Sequence, residues 1–240
     1  MSQAHIRLYV EQALGVGQAV AVGVDQAHYL FNVMRLGTGD AVLLFNGRDG
    51  EWRAEVAQGG KRSGVLVCEA QTAPLRLPPD LWLLFAPIKK ARTDFIVEKA
   101  VELGAARIMP VQTRFTNERI RPEKLQAYAR EAAEQCGATF LPEVSGLTTL
   151  DTVLSSWPPD RQLLWCDEAR RAEPVTLTGL GGGPWAILIG PEGGFAPDEQ
   201  ARLRALPAVR PLSLGPRILR ADTAAVAALT LWQAALGDWA

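Results

Sequence analysis

The chain has 240 residues, 48% of them hydrophobic and 21% charged, with a formal net charge of −1. This length allows one large domain or two modest ones, and the composition is ordinary for a folded soluble protein. Near-neutral charge excludes a nonspecific nucleic-acid coat, because the field of the whole molecule offers RNA no help and any contact must come from a local patch. Cys68, Cys136 and Cys166 lie far apart and are odd in number, and with only two histidines they make no zinc set. They are expected to be buried, reduced thiols of a cytoplasmic protein, and no metal is expected. The opening Met1–Gln12 lacks the apolar run of a signal peptide, and no stretch approaches the length of a membrane span.

The first 70 residues read as β-rich. Strands are expected at Ile6–Val10, Ala19–Val22, Ala41–Phe45, Glu51–Ala57 and Gly64–Glu69, separated by Gly and Asp/Asn turns such as Gly37–Asp40 and Asn46–Gly50. One helix interrupts them, with Asp25 as its cap and Leu30, Val33 and Met34 as its apolar stripe. Many short strands closing on themselves suggest a small barrel. The Pro-rich Ala73–Pro79 follows, and its stiffness makes it the domain boundary, dividing 1–72 from 80–240.

From Leu81 the pattern becomes alternating strands and helices. Strands are expected at Leu81–Ala86, Ile108–Val111, Leu163–Cys166, Ala186–Ile189 and Val209–Leu214. Helices are expected over Thr93–Leu103, stopped by Gly104, from Pro122 to about Gly137, and from Pro197 onward with acids at its positive end. Such alternation implies an α/β fold, a mostly parallel sheet covered by helices. The last helix, about Asp222 to Leu236, carries no charge after Asp222. A helix apolar all round is buried on all sides, so part of it is expected to face a second subunit in a homodimer; the other reading is a core helix enclosed within one chain.

Two glycine-bearing loops follow strands in the last third: Leu188-Ile189-Gly190-Pro191-Glu192-Gly193-Gly194-Phe195, and Leu212 to Thr223 with Leu214-Gly215-Pro216-Arg217-Ile218-Leu219-Arg220. In open α/β sheets ligands bind beyond the carboxyl ends of strands, and glycines there let backbone approach a ligand closely. Two such loops can clamp a flat polar cofactor such as an adenosine; taken as glycine spacing alone they are equally a pair of tight turns. The Gly179–Gly183 run is no dinucleotide fingerprint, since it precedes a strand instead of following one, and there is no Walker phosphate loop.

These paired loops resemble the signature of the RsmE family, the ribosomal small-subunit RNA (uracil-N3) methyltransferases of the SPOUT superfamily. Other segments are similar too: Glu98–Gly104, Glu134–Gly137, Arg7-Leu8-Tyr9 and His28–Arg35, so the resemblance covers nearly the whole chain. It implies a PUA-like β-barrel that binds RNA in front of a SPOUT sheet with a C-terminal trefoil knot, a homodimer, and S-adenosyl-L-methionine held between the two loops. The cofactor-binding set it implies is Leu188, Gly190, Pro191, Glu192, Gly193, Gly194, Leu214, Gly215, Ile218, Leu219, Arg220 and Thr223. Two positions depart from the family: Ala138 stands where it has Arg, and Asp222 where it has Glu.

Methyl transfer needs alignment and charge handling more than covalent help. Arg220 is expected to stabilise charge on the uracil oxygens, and Asp222 to orient it or act as base; Asp222 also fits a helix cap. RNA contacts are expected from Arg7, His28, Arg35, Lys89, Lys90, Arg92 and Arg114, with Arg119, Arg121 and Lys124 nearby. By resemblance the target is one uridine of 16S ribosomal RNA near the decoding centre, in the assembled small subunit. The alternatives are a SPOUT methyltransferase with another RNA target and an RNA-binding module with an inactive cofactor pocket.

Overall fold

A computed structural model describes residues 6–173, 176–177 and 179–239. The chain forms two compact units, one of residues up to Leu77 with Ala133–Leu141, the other of Pro78–Ala132 and the residues from Pro142 onward.

In the first unit the strands are β1 (Arg7–Tyr9), β2 (Ala19–Val22), β3 (Ala41–Phe45), β4 (Glu51–Gly59) and β5 (Gly64–Ala73). They make one barrel-like sheet in the order β1-β3-β4-β5-β2, parallel only between β1 and β3. Alternation places Val20 and Val22 inward with Leu44, Val56 and Leu66, while Ala19 and Ala21 face out. Three register shifts between β4 and β5 bend the sheet, since each extra residue adds local twist.

The helix of this unit departs from expectation. Its α-helical part, α1 (Val24–Ala27), is preceded by Gly23 without a side-chain cap, so Asp25 lies in the first turn and is not the cap. It continues as a π-helical turn, His28–Val33. In an α-helix Val33 and Met34 would share the face of Leu30. The wider turn breaks that spacing: Leu30 is fully buried, whereas Val33 and Met34 are 55% and 41% exposed. Phe31 packs instead, over Gly59 and Gly64, and a Cβ on Gly64 would lie 2.5 Å from its ring. Arg35 ends the turn at φ +57°, the only non-glycine residue with positive φ among those described.

The second unit holds β6 (Leu81–Phe85), α2 (Lys90–Glu102), β7 (Arg107–Gln112), most of α3 (Pro122–Cys136), β8 (Glu143–Val144), β9 (Thr148–Thr149), α4 (Leu150–Ser155), β10 (Gln162–Cys166), β11 (Trp185–Ile189), α5 (Pro197–Ala205), β12 (Val209–Leu212) and α6 (Ala221–Leu236). The sheet is parallel, in the order β12-β10-β11-β6-β7-β8, with β9 also on β7. All five residues of β11 are buried, as expected of a parallel strand covered on both faces. Because β12, β10 and β11 are neighbours, the loops leaving their carboxyl ends meet. The last turn of α3 and the loop to Leu141 belong to the first unit, where its final carbonyls are hydrogen-bonded by Arg7.

α6 buries Ala221, Ala224, Ala225, Ala228, Leu229, Trp232 and Gln233 within the chain. Gln233 Nε2 donates to the Leu103 carbonyl at 2.7 Å, tying α6 to the end of α2. Val226, Ala227, Thr230 and Leu231 are half-buried and uncharged. Of the cysteines, Cys68 is buried as expected, but Cys136 is exposed at the end of α3. Among the described residues no helix is long and apolar enough to cross a membrane.

Candidate cofactor and RNA site

The segments that follow β10, β11 and β12 enclose a cavity of about 480 Å³. Its walls include Gly190, Pro191, Glu192 and Gly194 from the first glycine loop, and Leu214, Gly215, Ile218, Leu219 and Arg220 from the second. Nine of the sequence-expected cofactor residues are thereby brought together. Three are not on the walls. Leu188 is fully buried within β11, with its side chain in the core. Gly193 faces the other way, so that a Cβ on it would meet the Phe115 side chain at 3.3 Å. Thr223 is exposed in the first turn of α6.

The close approach required of glycine occurs at the flanking positions. A Cβ on Gly190 would stand 2.6 Å from the Phe195 ring. Phe195 cannot easily yield, because it is buried and stacked edge-on against Trp165, with ring centroids 5.9 Å apart. Gly194 has φ +69°, and a Cβ there would lie 2.8 Å from Glu168 Oε1. After this loop Pro197 opens α5, and the Glu199 carboxylate accepts the Ala196 N–H at 2.8 Å, half of a capping box whose other half Ala196 cannot supply.

A third wall was missed by sequence reasoning: Trp165, Cys166, Asp167, Glu168, Ala169 and Arg171, at and after the end of β10. The signal lay in strand order. β10 sits between β11 and β12, so the loop that leaves it must lie between the two glycine loops. Asp167 caps the short turn Glu168–Arg170 by accepting the Ala169 N–H at 3.0 Å. Burial pushes the Cys166 thiol up to about 12, its sulfur being enclosed although the residue as a whole is half-buried, so the group stays a protonated thiol. The cavity thus combines apolar walls (Ile189, Phe195, Leu212, Leu214) with both signs of charge (Glu168, Glu192, Arg171, Arg217, Arg220). That combination suits a nucleoside ligand bearing a cation and a zwitterionic tail. Among the described residues no group of three His, Cys, Asp or Glu side chains could hold a metal ion.

Arg220 is the residue before α6, exposed on the cavity wall; its carbonyl accepts the Ala224 N–H at 2.8 Å, and its side chain makes no hydrogen bond or ion pair to another described residue. The expected pairing with Asp222 is not made. Asp222 is the second residue of α6 and not its cap, and its Oδ2 faces Arg92 Nε at 3.8 Å. Arg92, expected at an RNA phosphate, also donates from Nη1 to Glu192.

The other expected RNA contacts divide in two. Arg7 is corrected. Its Nε bonds Glu51 at 2.6 Å, Nη1 and Nη2 bond the carbonyls of Ala133, Glu134 and Ala138 at 2.5, 2.9 and 2.8 Å, and the guanidinium lies 4.5 Å from the Phe45 ring centroid. A cation spent on helix-end carbonyls holds the fold and has no fork left for phosphate. Lys90 bonds the buried Asp94 at 2.6 Å and Tyr128 Oη at 3.2 Å, and Arg114 pairs with Asp198 at 3.0 Å; both cations are themselves exposed, and each can turn to a phosphate. Lys89 and Arg35 are exposed and without an ion-pair partner among the described residues, and His28 is exposed with only Asn32 beside its Nδ1, at 2.9 Å.

A parallel α/β unit with a glycine-walled cavity at its strand ends, in a chain that also holds a unit with a barrel-like sheet, is the make-up of an RNA-modifying transferase. The family model described as an RNA methyltransferase domain matches residues 75–233, and that of an RNA methyltransferase PUA domain matches residues 23–67. The ribosomal RNA small subunit methyltransferase E of Rickettsia conorii is 30% identical over 93% of both chains, and that of Synechocystis is 31% identical over 93% of this chain and 75% of its own. The crystal structure of the Neisseria gonorrhoeae enzyme of that name, bound to S-adenosyl methionine, has a TM-score of 0.88 at 26% identity and covers 98% of this chain and 99% of its own. A Legionella pneumophila methyltransferase in complex with the same cofactor has a TM-score of 0.85 at 30% identity, over 99% and 100%. The chain belongs to the ribosomal RNA small subunit methyltransferase E family, of SPOUT type.

Proposed function

We propose that this protein transfers a methyl group from S-adenosyl-L-methionine to N3 of one uridine in 16S ribosomal RNA, near the decoding centre, acting in the cytoplasm on the assembled small subunit. The observation that carries this reading is the cavity between the two glycine loops, with the Arg220 side chain on its wall and without an ion-pair partner among the described residues. The cofactor, when bound there, supplies an electrophilic methyl group. The residues that would hold it are those of the two loops and of the segment after β10: glycine positions without room for a side chain, apolar walls for a nucleoside, and carboxylates and arginines for its charged tail.

The uracil N3–H must lose its proton to become a nucleophile, and negative charge then spreads to the ring oxygens. Arg220 meets those oxygens with a planar fork of donors, a role that its exposed side chain on the cavity wall supports. Asp222, beside Arg92 instead of Arg220, is the carboxylate assigned to take the N3 proton. Lys89, Lys90, Arg114, Arg35 and His28 supply the RNA contacts. The uncharged strip of α6 through Val226, Thr230 and Leu231 supports a homodimer, and the C-terminal trefoil knot belongs to the same reading. The test is nucleoside mass spectrometry after incubating the protein and cofactor with small subunits lacking this methylation. Appearance of 3-methyluridine at a single position is expected; methylation at another base, or none with cofactor bound, rejects the reading.

A further inference from the structure

Arg92 stands in the first turn of α2 and bridges both glycine loops. Its Nη1 donates to Glu192, on the cavity wall in the first loop. Its Nε faces the Asp222 carboxylate at 3.8 Å, and Asp222 directly follows Arg220 and Ala221, which line the cavity from the second loop. The platform beneath Arg92 is fixed. Thr93 Oγ1 accepts the Ile88 N–H at 3.0 Å and donates to the Ile88 carbonyl at 2.7 Å, and Ile96, Val97 and Ala100 are buried below. At its far end α2 is tied to α6 through Gln233. Among the described residues no other cation pairs with both Glu192 and Asp222. Lys90 is engaged with Asp94 and Tyr128, and Arg220 makes no ion pair with Asp222.

We propose that Arg92 is a positioning residue, a cationic strut that sets the spacing of the two loops by holding Glu192 and Asp222 to one guanidinium. This role rests on the cavity being the cofactor site, and it replaces the phosphate contact expected of Arg92. A planar fork reaches two carboxylates at once, which an ammonium does less well. Without it, Glu192 and Asp222 have no cation between them, and each loop loses its reference to the other. Glu192 then carries the effect on cofactor affinity, and Asp222 the effect on turnover.

Calorimetric titration of S-adenosylmethionine and single-turnover methylation at saturating RNA and cofactor separate the two effects. Arg92→Met is expected to weaken cofactor binding roughly tenfold and to slow turnover by a similar factor, in the range of measured couplings between neighbouring charges, with Arg92→Lys recovering part of each. Arg92→Met/Glu192→Gln should bind cofactor no more weakly than Arg92→Met alone, and Arg92→Met/Asp222→Asn should turn over no more slowly than Asp222→Asn alone. If Arg92→Met does not fold, coupling between Glu192→Gln and Asp222→Asn in the presence of Arg92 makes the same test. Additive effects in these cycles overturn the proposal. So does an Arg92→Met protein with unchanged cofactor affinity and turnover but weakened RNA binding, which returns Arg92 to a phosphate. A wild-type protein that takes up no cofactor is a different failure, that of the cavity assignment itself.

Discussion

At the scale of single residues, the three glycines of the first loop should part company. Gly190→Ala forces a Cβ against the buried Phe195 ring, and Gly194→Ala places a side chain at φ +69°. The first must displace a buried ring and the second holds a side chain where it costs about 1 kcal/mol or more, so each variant should distort the loop and lose cofactor affinity, by roughly tenfold in calorimetry. Gly193→Ala meets only Phe115 from outside the cavity and should bind normally; a large loss there would place Gly193 back on the cavity wall. Arg220→Ala should behave in the opposite manner to the loop glycines. Its cofactor affinity should stay close to wild type, while single-turnover methylation falls on the order of 100- to 1,000-fold, the usual effect of losing one preorganised donor. A wild-type rate would pass the charge-stabilising role to another group. Asp49 supplies a pH dependence. The Leu14 N–H, then the Asn46 amide, then the charge of Arg48 hold its carboxyl below the ordinary carboxylate value, against a smaller desolvation effect than the first two. A carboxylate with a lowered folded value contributes stability that is complete above its unfolded value of about 3.9 and is lost as pH falls through the folded one. Asp49→Asn should therefore be less stable near neutrality and show a shallower loss of stability below about pH 4. Parallel urea midpoints for the two proteins across that range would contradict it.

At the scale of elements, what could be read from the sequence was local and periodic. The strands from Leu81 and Trp185, the helix opened by Pro197 and the glycine loops stand where alternation, apolar runs and turn residues put them. What could not be read depends on contacts distant in sequence. A π-helical turn has no signature in a 3.6-residue pattern, so Val33 and Met34 looked like core and are exposed. Arg7 looked like a free cation because its acceptors, Ala133 to Ala138, lie more than 120 residues on. The partner of Asp222 was sought two residues away in Arg220 and lies in α2. The uncharged α6 was also only partly legible: periodicity said it was buried, and the structure divides that burial. Ala228 is fully covered within the chain, so Ala228→Glu should unfold the monomer and reports nothing about association. Leu231 is half-buried, and Leu231→Glu should leave a folded chain that sediments as a monomer. Wild-type protein that is already monomeric at micromolar concentration would end the dimer reading.

At the scale of the whole molecule, 25 basic residues face 26 acidic ones, so RNA must be held by the few cations that the fold leaves uncommitted. In the second unit these include Lys89, Arg119, Arg121, Arg217 and Arg220, all exposed and without an ion-pair partner among the described residues, and Arg114 can join them by giving up its exposed pair with Asp198, whereas Arg92 is held by Glu192 and Asp222. Each phosphate neutralised releases counterions, and for single-stranded RNA contributes about −0.7 to the slope of log affinity against log salt. Four or five such contacts predict a slope of roughly −3, well short of what a broad basic surface gives. Single charge reversals, Lys89→Glu or Arg121→Glu, should each make the slope shallower by about one such step and weaken binding across all sequences alike. Arg7→Met should leave the slope unchanged and lower the melting temperature instead, because its guanidinium is bound to backbone carbonyls and Glu51. Filter binding of a ribosomal RNA fragment between about 50 and 300 mM salt makes the measurement, a range over which the Debye length falls from about 14 to about 6 Å. A slope near −7, or one that Arg7→Met makes shallower, would mean that cations tied here into ion pairs are released on binding, and that the surface meeting RNA is rebuilt by the encounter.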